Sequence, residues 1–126
     1  MNVPRLGRVQ LMIMQVLWEN GRANAREITA ALNRTEPIAH STVQTLLRKL
    51  EAKGAIGHQV EDRTFVFHPL VKEDRIKRSA AHDLLDRVFG GSMADLVSYL
   101  LQHERVPAAE LSRIRKLLDE YKGKEG

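Results

Sequence analysis

Apolar side chains recur at helical spacing three times in the first half of the chain. The segments run from Leu6 to Glu19, from Asn24 to about Asn33, and from about His40 to Lys53. A stripe with this period forms one face of an amphipathic helix. Glycines follow the first and third segments, where they commonly terminate helices. The pattern therefore predicts three short helices.

Polar residues spaced three apart mark two of the helix starts. Asn24 with Glu27 and Ser41 with Gln44 each match the capping box, in which two side chains bond each other's backbone amides. We therefore expect the second helix to begin after Asn24. For the third helix we expect a cap at Ser41, or a start one or two residues earlier.

The period then changes from helical to alternating. Ile56 to Val60 and Thr64 to Phe67 are short strand-like runs separated by Glu61-Asp62-Arg63, and Pro69 closes the second run. This arrangement predicts a β-hairpin with a charged tip. An isolated hairpin is marginally stable in water, so we expect it to pack against the helices.

Helical spacing returns in the second half of the chain. Gly90-Gly91 interrupts it, Ser92 is typical of a new helix start, and Pro107 is expected to begin a last helix. About 55 residues arranged as short apolar helices have difficulty burying their stripes alone, and a symmetric dimer solves this problem. The residues predicted to form the dimer interface are Leu84, Val88, Leu96, Val97, Leu100, Leu101, Leu117 and Leu118.

Three helices followed by a two-stranded wing is the order of a winged helix-turn-helix domain. We therefore predict a mostly α fold with a small β-hairpin. The predicted boundaries are a winged-helix DNA-binding domain at residues 1–70 and a helical dimerisation domain at residues 71–126.

The composition excludes several classes of protein. The chain has 126 residues, of which 43% are hydrophobic, and it contains no cysteine. This content is sufficient for a folded core, and it excludes disulfides, thiolate catalysis and cysteine-ligated metal sites. The sequence has neither an apolar run of membrane-spanning length nor the pattern of a signal peptide at its N-terminus. We therefore expect a cytoplasmic protein with no direct membrane binding.

Positive charge is concentrated in the first 70 residues. The formal net charge is +4; residues 1–70 hold 9 basic and 6 acidic side chains, whereas residues 71–126 hold 11 and 10. A mildly basic balance permits a polyanionic partner without demanding one. The half with the winged-helix pattern is thus the half better suited to nucleic acid.

The polar face of the third helix carries the candidate chemistry. Hydroxyl and amide side chains near a helix start can contact base edges in a major groove, and Arg or Lys further along can contact bases or phosphates. The solvated face of a core helix has a similar composition, and the helix-turn-helix order favours DNA contact over that interpretation. The candidates are Ser41, Thr42, Gln44, Thr45, Arg48 and Lys49, with His40 beside them.

Other charged residues are weaker candidates. Arg63 at the hairpin tip suits a minor-groove or phosphate contact, but its acidic neighbours fit an ordinary polar turn equally well. The five histidines lack the spacing of a metal site, and no catalytic motif is present. We therefore predict no enzymatic activity, no metal and no cofactor. Four arginines near the first two helices are individually weak candidates for phosphate contacts: Arg5, Arg8, Arg22 and Arg26.

Three stretches resemble the penicillinase repressor (BlaI/MecI) family. They are LMIMQVLWENGRANAREI, HSTVQTLLRKLEAKGAI and DRTFVFHPLV, and the similarity continues through IKRSAAHDLLDRVFGGSMADLVSYLL. The resemblance implies a homodimeric transcriptional repressor that binds a palindromic DNA operator and dimerises through its C-terminal helices. It places DNA contacts at His40, Ser41, Thr42, Gln44, Thr45, Arg48 and, in the wing, Arg63.

The resemblance also implies a mode of regulation. Several family members are controlled by a membrane-bound sensor metallopeptidase that detects β-lactam, and cleavage in the dimerisation region releases DNA. The staphylococcal members are cleaved at an Asn-Phe bond, and the aligned pair here is Ser98-Tyr99. The copper-responsive branch uses a C-terminal cysteine motif, which this chain lacks.

Two other functions fit the same fold. A winged-helix protein–protein adaptor keeps the fold without a basic face, and the mixed charge at the wing tip fits that function. A repressor that senses a small ligand directly needs a polar cluster for the ligand, and no such cluster is obvious in the sequence. Strongly salt-dependent DNA binding argues against the adaptor, and a thermal-shift screen with metabolites and β-lactams tests the ligand sensor.

Overall fold

Helices form most of the chain, as the sequence predicts. The computed structural model describes residues 3–122, and contacts divide it into two units after Ala81, inside the fourth helix. The predicted domain boundary at residue 70 stays a prediction. The elements in chain order are α1 (Arg8–Asn20), β1 (Ala23–Asn24), α2 (Ala25–Asn33), α3 (His40–Ala52), β2 (Ile56–Glu61), β3 (Thr64–Pro69), α4 (Glu73–Phe89), α5 (Met93–His103) and α6 (Ala108–Glu120).

The winged-helix core of the first unit is built from the predicted apolar stripes. Each of α1, α2 and α3 contributes the residues on one face, and the base of the wing, which comprises β2 and β3, closes one side. Burying these side chains is the main favourable term for such a small unit. The fully or nearly fully buried members include Ile13, Met14, Leu17, Ile28, Leu32, Val43, Leu47, Leu50, Ile56 and Phe67.

The sheet has three strands rather than the two predicted. β1 pairs antiparallel with β3 through Ala23 and Asn24, giving the strand order β1-β3-β2. Two residues are too few for an alternating pattern to be visible in a sequence. This short strand attaches the α1–α2 connection to the wing.

The predicted start of α2 is confirmed, whereas the predicted cap at Ser41 is wrong. Asn24 Oδ1 accepts the Glu27 amide at 2.8 Å, and Glu27 Oε1 accepts the Asn24 amide at 2.8 Å. α3 begins one residue before Ser41, at His40, which confirms the alternative of an earlier start, and its N-cap Ala39 has no side chain that can cap. Ser41 therefore lies inside the first turn and is exposed.

Asn33 explains why α3 starts where it does. Its Nδ2 donates to the carbonyls of Thr29 and Ile38, at 2.8 and 2.9 Å, and its Oδ1 accepts the Ile38 amide at 3.2 Å. These bonds tie the end of α2 to the residues that lead into α3. The side chain thus fixes the helix-turn-helix connection and, with it, the first turn of α3.

The wing tip is a two-residue turn. Glu61 and Thr64 are still paired in the strand register, so only Asp62 and Arg63 form the loop, with φ of 50° and 67°. Positive φ at both positions is the pattern of a type I′ turn, whose twist matches that of a hairpin. The three-residue tip expected from the sequence is thus one residue too long, because Glu61 belongs to β2.

The second unit consists of helices joined by short connections. Gly90 and Gly91 have φ of 59° and 84° and separate α4 from α5. Ser92 Oγ accepts the Asp95 amide at 3.1 Å, as predicted, and Pro107 precedes α6 instead of beginning it. No residue of α5 or α6 is buried within the chain. In residues 3–122 no helix combines the length and the hydropathy needed to cross a bilayer.

The capping box of α2 gives a stability prediction. Replacing Asn24 with alanine removes a side-chain acceptor from the helix start, and we expect a loss of about 1 kcal/mol in the free energy of unfolding. Urea unfolding at a fixed protein concentration measures it. Gln15→Ala is the control, because Gln15 is exposed in the middle of α1. Equal unfolding midpoints for the two variants would contradict the assignment of the cap.

Candidate nucleic-acid interface

An open cleft of about 810 Å³ lies between α3, the start of α2 and the wing. Its cationic lining comes from three different elements: Arg26 on α2, Arg48 on α3 and Arg63 at the wing tip. Leu47 and two wing phenylalanines supply its apolar lining. A cleft lined by both cationic and apolar side chains suits a polyanion that also has apolar parts.

The eight residues predicted to contact DNA fall into two groups. His40, Gln44, Arg48 and Arg63 line the cleft. Ser41, Thr42, Thr45 and Lys49 do not line it, and they lie exposed along α3. The predicted polar face of α3 is therefore open to solvent along its length, although its individual DNA contacts stay predictions.

His40 has one ring nitrogen engaged and one available. The Thr29 hydroxyl donates its single proton to the Ala25 carbonyl at 2.8 Å, so it acts as acceptor towards His40 Nδ1 at 2.9 Å. In the neutral imidazole this arrangement puts the proton on Nδ1 and leaves Nε2 as an acceptor. An acceptor at this position can bond the exocyclic amino group of adenine or cytosine.

Arg48 is oriented by the helix that carries it. Its Nη2 donates to Thr45 Oγ1 at 3.3 Å, one turn earlier on α3. The guanidinium keeps its remaining N–H donors for an outside acceptor. Such a planar donor set suits a guanine edge or a phosphate.

Two acidic side chains near this face are engaged by internal partners. Glu61, beside the wing tip, pairs with Arg22, and Glu51, at the end of α3, accepts from His58 Nδ1 at 2.8 Å. The Arg22–Glu61 pair joins residues 39 positions apart, so the sequence around Arg63 does not show that one of its two acidic neighbours is paired. Among the described residues, Arg26, Lys49 and Arg63 make no ion pair.

A further pair lies beside the turn of the helix-turn-helix. Arg8 Nη1 and Glu36 Oε1 are 2.6 Å apart. This hydrogen bond lowers the pKa of Glu36 and raises the pKa of Arg8. Arg8 and Arg22, two of the four weak candidates, are thus engaged within the chain, whereas Arg26 lines the cleft.

Sequence reasoning missed the exposed aromatic ring of the cleft. Alternation correctly places Phe65 and Phe67 on one face of the hairpin, yet Phe67 is buried and Phe65 is 49% exposed. Only the distance of each residue from the wing tip distinguishes them in the sequence. Arg26 was named there as one of several equivalent arginines, and the tertiary structure alone singles it out.

The predicted interface of the second unit is an exposed apolar surface. Leu96 is half-buried, whereas the other seven predicted residues are between 40% and 69% exposed, the extremes being Val97 and Leu118. Exposed apolar side chains in this number are typical of an interaction surface. Met93 and Tyr121 of the same unit are exposed as well.

Comparison with known proteins identifies the family. A family model described as penicillinase repressor matches residues 6–120. The chain belongs to the penicillinase repressor family. As a family member it is a DNA-binding transcription regulator with a winged-helix fold, and it is not an enzyme. Among residues 3–122, no three His, Cys, Asp or Glu side chains are grouped so that they could hold a metal ion.

Individual relatives agree with this assignment. The penicillinase repressor of Bacillus licheniformis is 28% identical over 123 residues, which cover 98% of this chain and 96% of that protein. The solution structure of the DNA-binding domain of the repressor BlaI is 33% identical, with a TM-score of 0.53, over 57% of this chain and 88% of that one. The monomeric form of Bacillus licheniformis BlaI in complex with the blaP half-operator is also 33% identical, with a TM-score of 0.51, over 58% and 89% of the two chains.

Proposed function

We propose that this penicillinase repressor family member represses transcription by binding a palindromic operator as a homodimer. The observation that supports this most directly is the exposed polar face of α3, part of which lines a cleft together with Arg26 and Arg63. In the proposal α3 enters the major groove, and the wing contacts the backbone or the minor groove. Because the proposed target is a DNA operator, the proposal also places the protein in the cytoplasm.

Within α3, the proposal gives different roles to different residues. Gln44 and Arg48 face the cleft and, with Thr45, contact base edges; His40 Nε2 accepts from an exocyclic amino group. Lys49 contacts phosphate, as does Arg63 from the wing, where positive charge fixes register without carrying sequence information. Ser41 and Thr42, near the helix start, contact bases or phosphate through their hydroxyls.

The proposed dimer forms through the exposed apolar residues of the second unit. Helices α5 and α6 have no buried residue, so their leucines gain burial only from another chain. A two-fold dimer presents two copies of α3 to two half-sites, about one DNA turn or about 34–36 Å apart. The blaP half-operator complex of a relative, bound by a monomeric form, supports the assignment of one chain to each half-site.

Selection from a random duplex pool at near-physiological salt tests the proposal. We expect enrichment of a palindrome whose half-sites are separated by one helical turn. Enrichment of a single half-site would contradict the dimeric mode. Weak, salt-sensitive binding without enrichment would overturn the proposal and favour the protein–protein adaptor or a missing co-ligand.

We propose further that proteolysis in α5 releases the operator. The candidate bond, Ser98-Tyr99, lies in the middle of α5, and Tyr99 is 54% exposed. The Tyr99 carbonyl accepts from His103 Nδ1 at 2.9 Å, and the Tyr99 ring stacks on the His103 ring and contacts Phe89. Cleavage of a helical bond requires local unwinding, so these contacts set part of its rate.

A membrane-bound sensor metallopeptidase that responds to β-lactam is the proposed protease partner. Mass spectrometry of the repressor from cells that carry the gene natively, before and after β-lactam exposure, tests this mode of release. We expect a fragment that ends at Ser98 to appear only after exposure. A chain that stays intact while the target genes are induced would contradict proteolytic release and favour direct sensing of a small ligand.

A further inference from the structure

The wing carries an apolar face that continues beyond the protein core. Cross-strand partners share a face of a hairpin, and here His58 pairs with Phe67 and Val60 pairs with Phe65. Phe67, nearer the base of the wing, is buried, whereas Phe65 and Val60 are 49% and 60% exposed. The outer pair of this face is thus only partly covered within the chain.

The exposed ring of Phe65 is held in place. The imidazole of His58 stacks on it, with ring centroids 4.0 Å apart and planes 9° apart, and Phe67 meets it edge-on at 6.2 Å. His58 Nδ1 in turn bonds both carboxylate oxygens of Glu51, at 2.8 and 2.9 Å. Since Glu51 lies in the last turn of α3, the chain of contacts links the Phe65 ring to the predicted recognition helix.

The charges around Phe65 indicate what covers it. Phe65 lines the cleft together with Arg26, Arg48 and Arg63. The acidic side chain of the lining, Glu51, is bonded to His58. A sugar–phosphate strand has the complementary arrangement, with anionic phosphates at its edge and the apolar carbons of deoxyribose between them.

We propose that Phe65 is a DNA contact, whose exposed ring packs against deoxyribose in the strand that passes between α3 and the wing. His58 and Glu51 are positioning residues that hold the ring towards this strand. Arg26 contacts a phosphate of the same strand from the α2 side. This inference rests on the proposed operator binding and adds contacts that carry affinity through apolar packing as well as charge.

Salt dependence separates the two kinds of contact. The probe is a fluorescein-labelled duplex that carries the palindrome enriched from the random pool, titrated by anisotropy at several salt concentrations. We expect Phe65→Ala to weaken binding about tenfold for each half-site, the scale of an aromatic side chain lost from a nucleic-acid contact. The slope of log affinity against log salt concentration is expected to stay unchanged. Arg26→Gln is expected to make the slope of log affinity against log salt concentration shallower by about one for each half-site, because each half-site loses one phosphate contact.

Matched variants control for folding. Leu70→Ala truncates another exposed apolar side chain near the wing, outside the cleft, and we expect its affinity to equal that of the parent. Phe65→Leu keeps apolar volume in the wing and is expected to lose affinity by an intermediate factor. If Phe65→Ala and Phe65→Leu both bind the duplex as tightly as the parent, while Arg26→Gln binds more weakly, the contact at Phe65 is overturned.

The positioning roles have their own readout. We expect His58→Ala to weaken binding in the parent and to have little further effect in Phe65→Ala, because both changes act through one ring. Glu51→Gln keeps an acceptor for His58 and is expected to retain the affinity that Glu51→Ala loses. If His58→Ala weakens binding by the same factor in Phe65→Ala as in the parent, His58 does not act through the Phe65 ring and its positioning role is overturned. If the parent itself selects no operator, the proposed function fails before this inference is reached.

Discussion

Replacing Leu100 with aspartate is expected to dissociate the dimer and to lower operator affinity at least about 100-fold. Leu100 is one of the exposed leucines of α5, a helix with no buried residue in its own chain. An unpaired carboxylate in a dimer interface carries a desolvation cost that no partner offsets. Two linked half-site contacts exceed the affinity of one by about 10²–10⁴, and the monomer forfeits this factor.

Gln102→Glu provides the matched control for Leu100→Asp. Gln102 lies on the same helix, two residues away and thus towards another face, and its substitution adds the same charge. Sedimentation at micromolar concentration and anisotropy with the selected duplex measure both variants. A Leu100→Asp protein that remains dimeric would show that the interface lies elsewhere. A monomer with undiminished affinity would show that the dimer is not needed for operator binding.

Replacing Arg48 with alanine is expected to be the second large effect. One bidentate base contact contributes about 1–3 kcal/mol of discrimination. In a symmetric dimer the change occurs in both half-sites, so the expected loss on the full palindrome is about 2–6 kcal/mol if the sites are independent. Since the Arg48 guanidinium is oriented by Thr45 Oγ1, Thr45→Ala is expected to have a smaller effect in the same direction.

The pattern of the Arg48 defect matters as much as its size. The selected duplex and duplexes with single base changes are compared for the variant and the parent. We expect discrimination to fall at one position of each half-site and to persist elsewhere. Arg105→Ala removes the same charge from the α5–α6 connection and controls for net charge. If Arg48→Ala weakens binding equally on all duplexes, Arg48 contacts a phosphate and not a base. If the variant binds as tightly as the parent, Arg48 does not contact DNA.

Elements built from local regularities were predictable from the sequence. The three first helices, the capping box of Asn24 with Glu27, and the glycines that separate α4 from α5 all depend on residues within one or two helical turns of each other. Hydrophobic spacing specifies which face of α3 is buried, and hence which face is exposed and available for the proposed DNA contacts. The winged-helix order followed from these elements.

Features that depend on distant residues were not predictable. The missed strand β1 exists because Ala23 and Asn24 pair with Phe67 and Val66, more than 40 positions later. The cap expected at Ser41 failed for a different reason: Asn33 bonds Ile38 across an irregular connection of five positions, and α3 starts one residue before Ser41. No periodicity in the sequence encodes such contacts.

The charge of the candidate site shows the same limit. Glu61 lies next to Asp62 and Arg63 in the sequence, and its partner Arg22 lies 39 positions earlier. Arg26 lines the cleft, while Arg8, equally basic in the sequence, pairs with Glu36. Which arginines remain for a phosphate is therefore decided by tertiary contacts, and counting charges along the chain does not reveal it.

The stoichiometry of the complex on its own operator tests the central claim most directly. Labelled duplexes that carry the selected palindrome, one half-site alone or a scrambled sequence are sedimented with the protein at near-physiological salt. We predict two chains on the palindrome, with an affinity that far exceeds that for the half-site, and no defined complex on the scrambled duplex. Equal binding to all three duplexes, or one chain on the palindrome, would contradict a dimeric sequence-specific repressor.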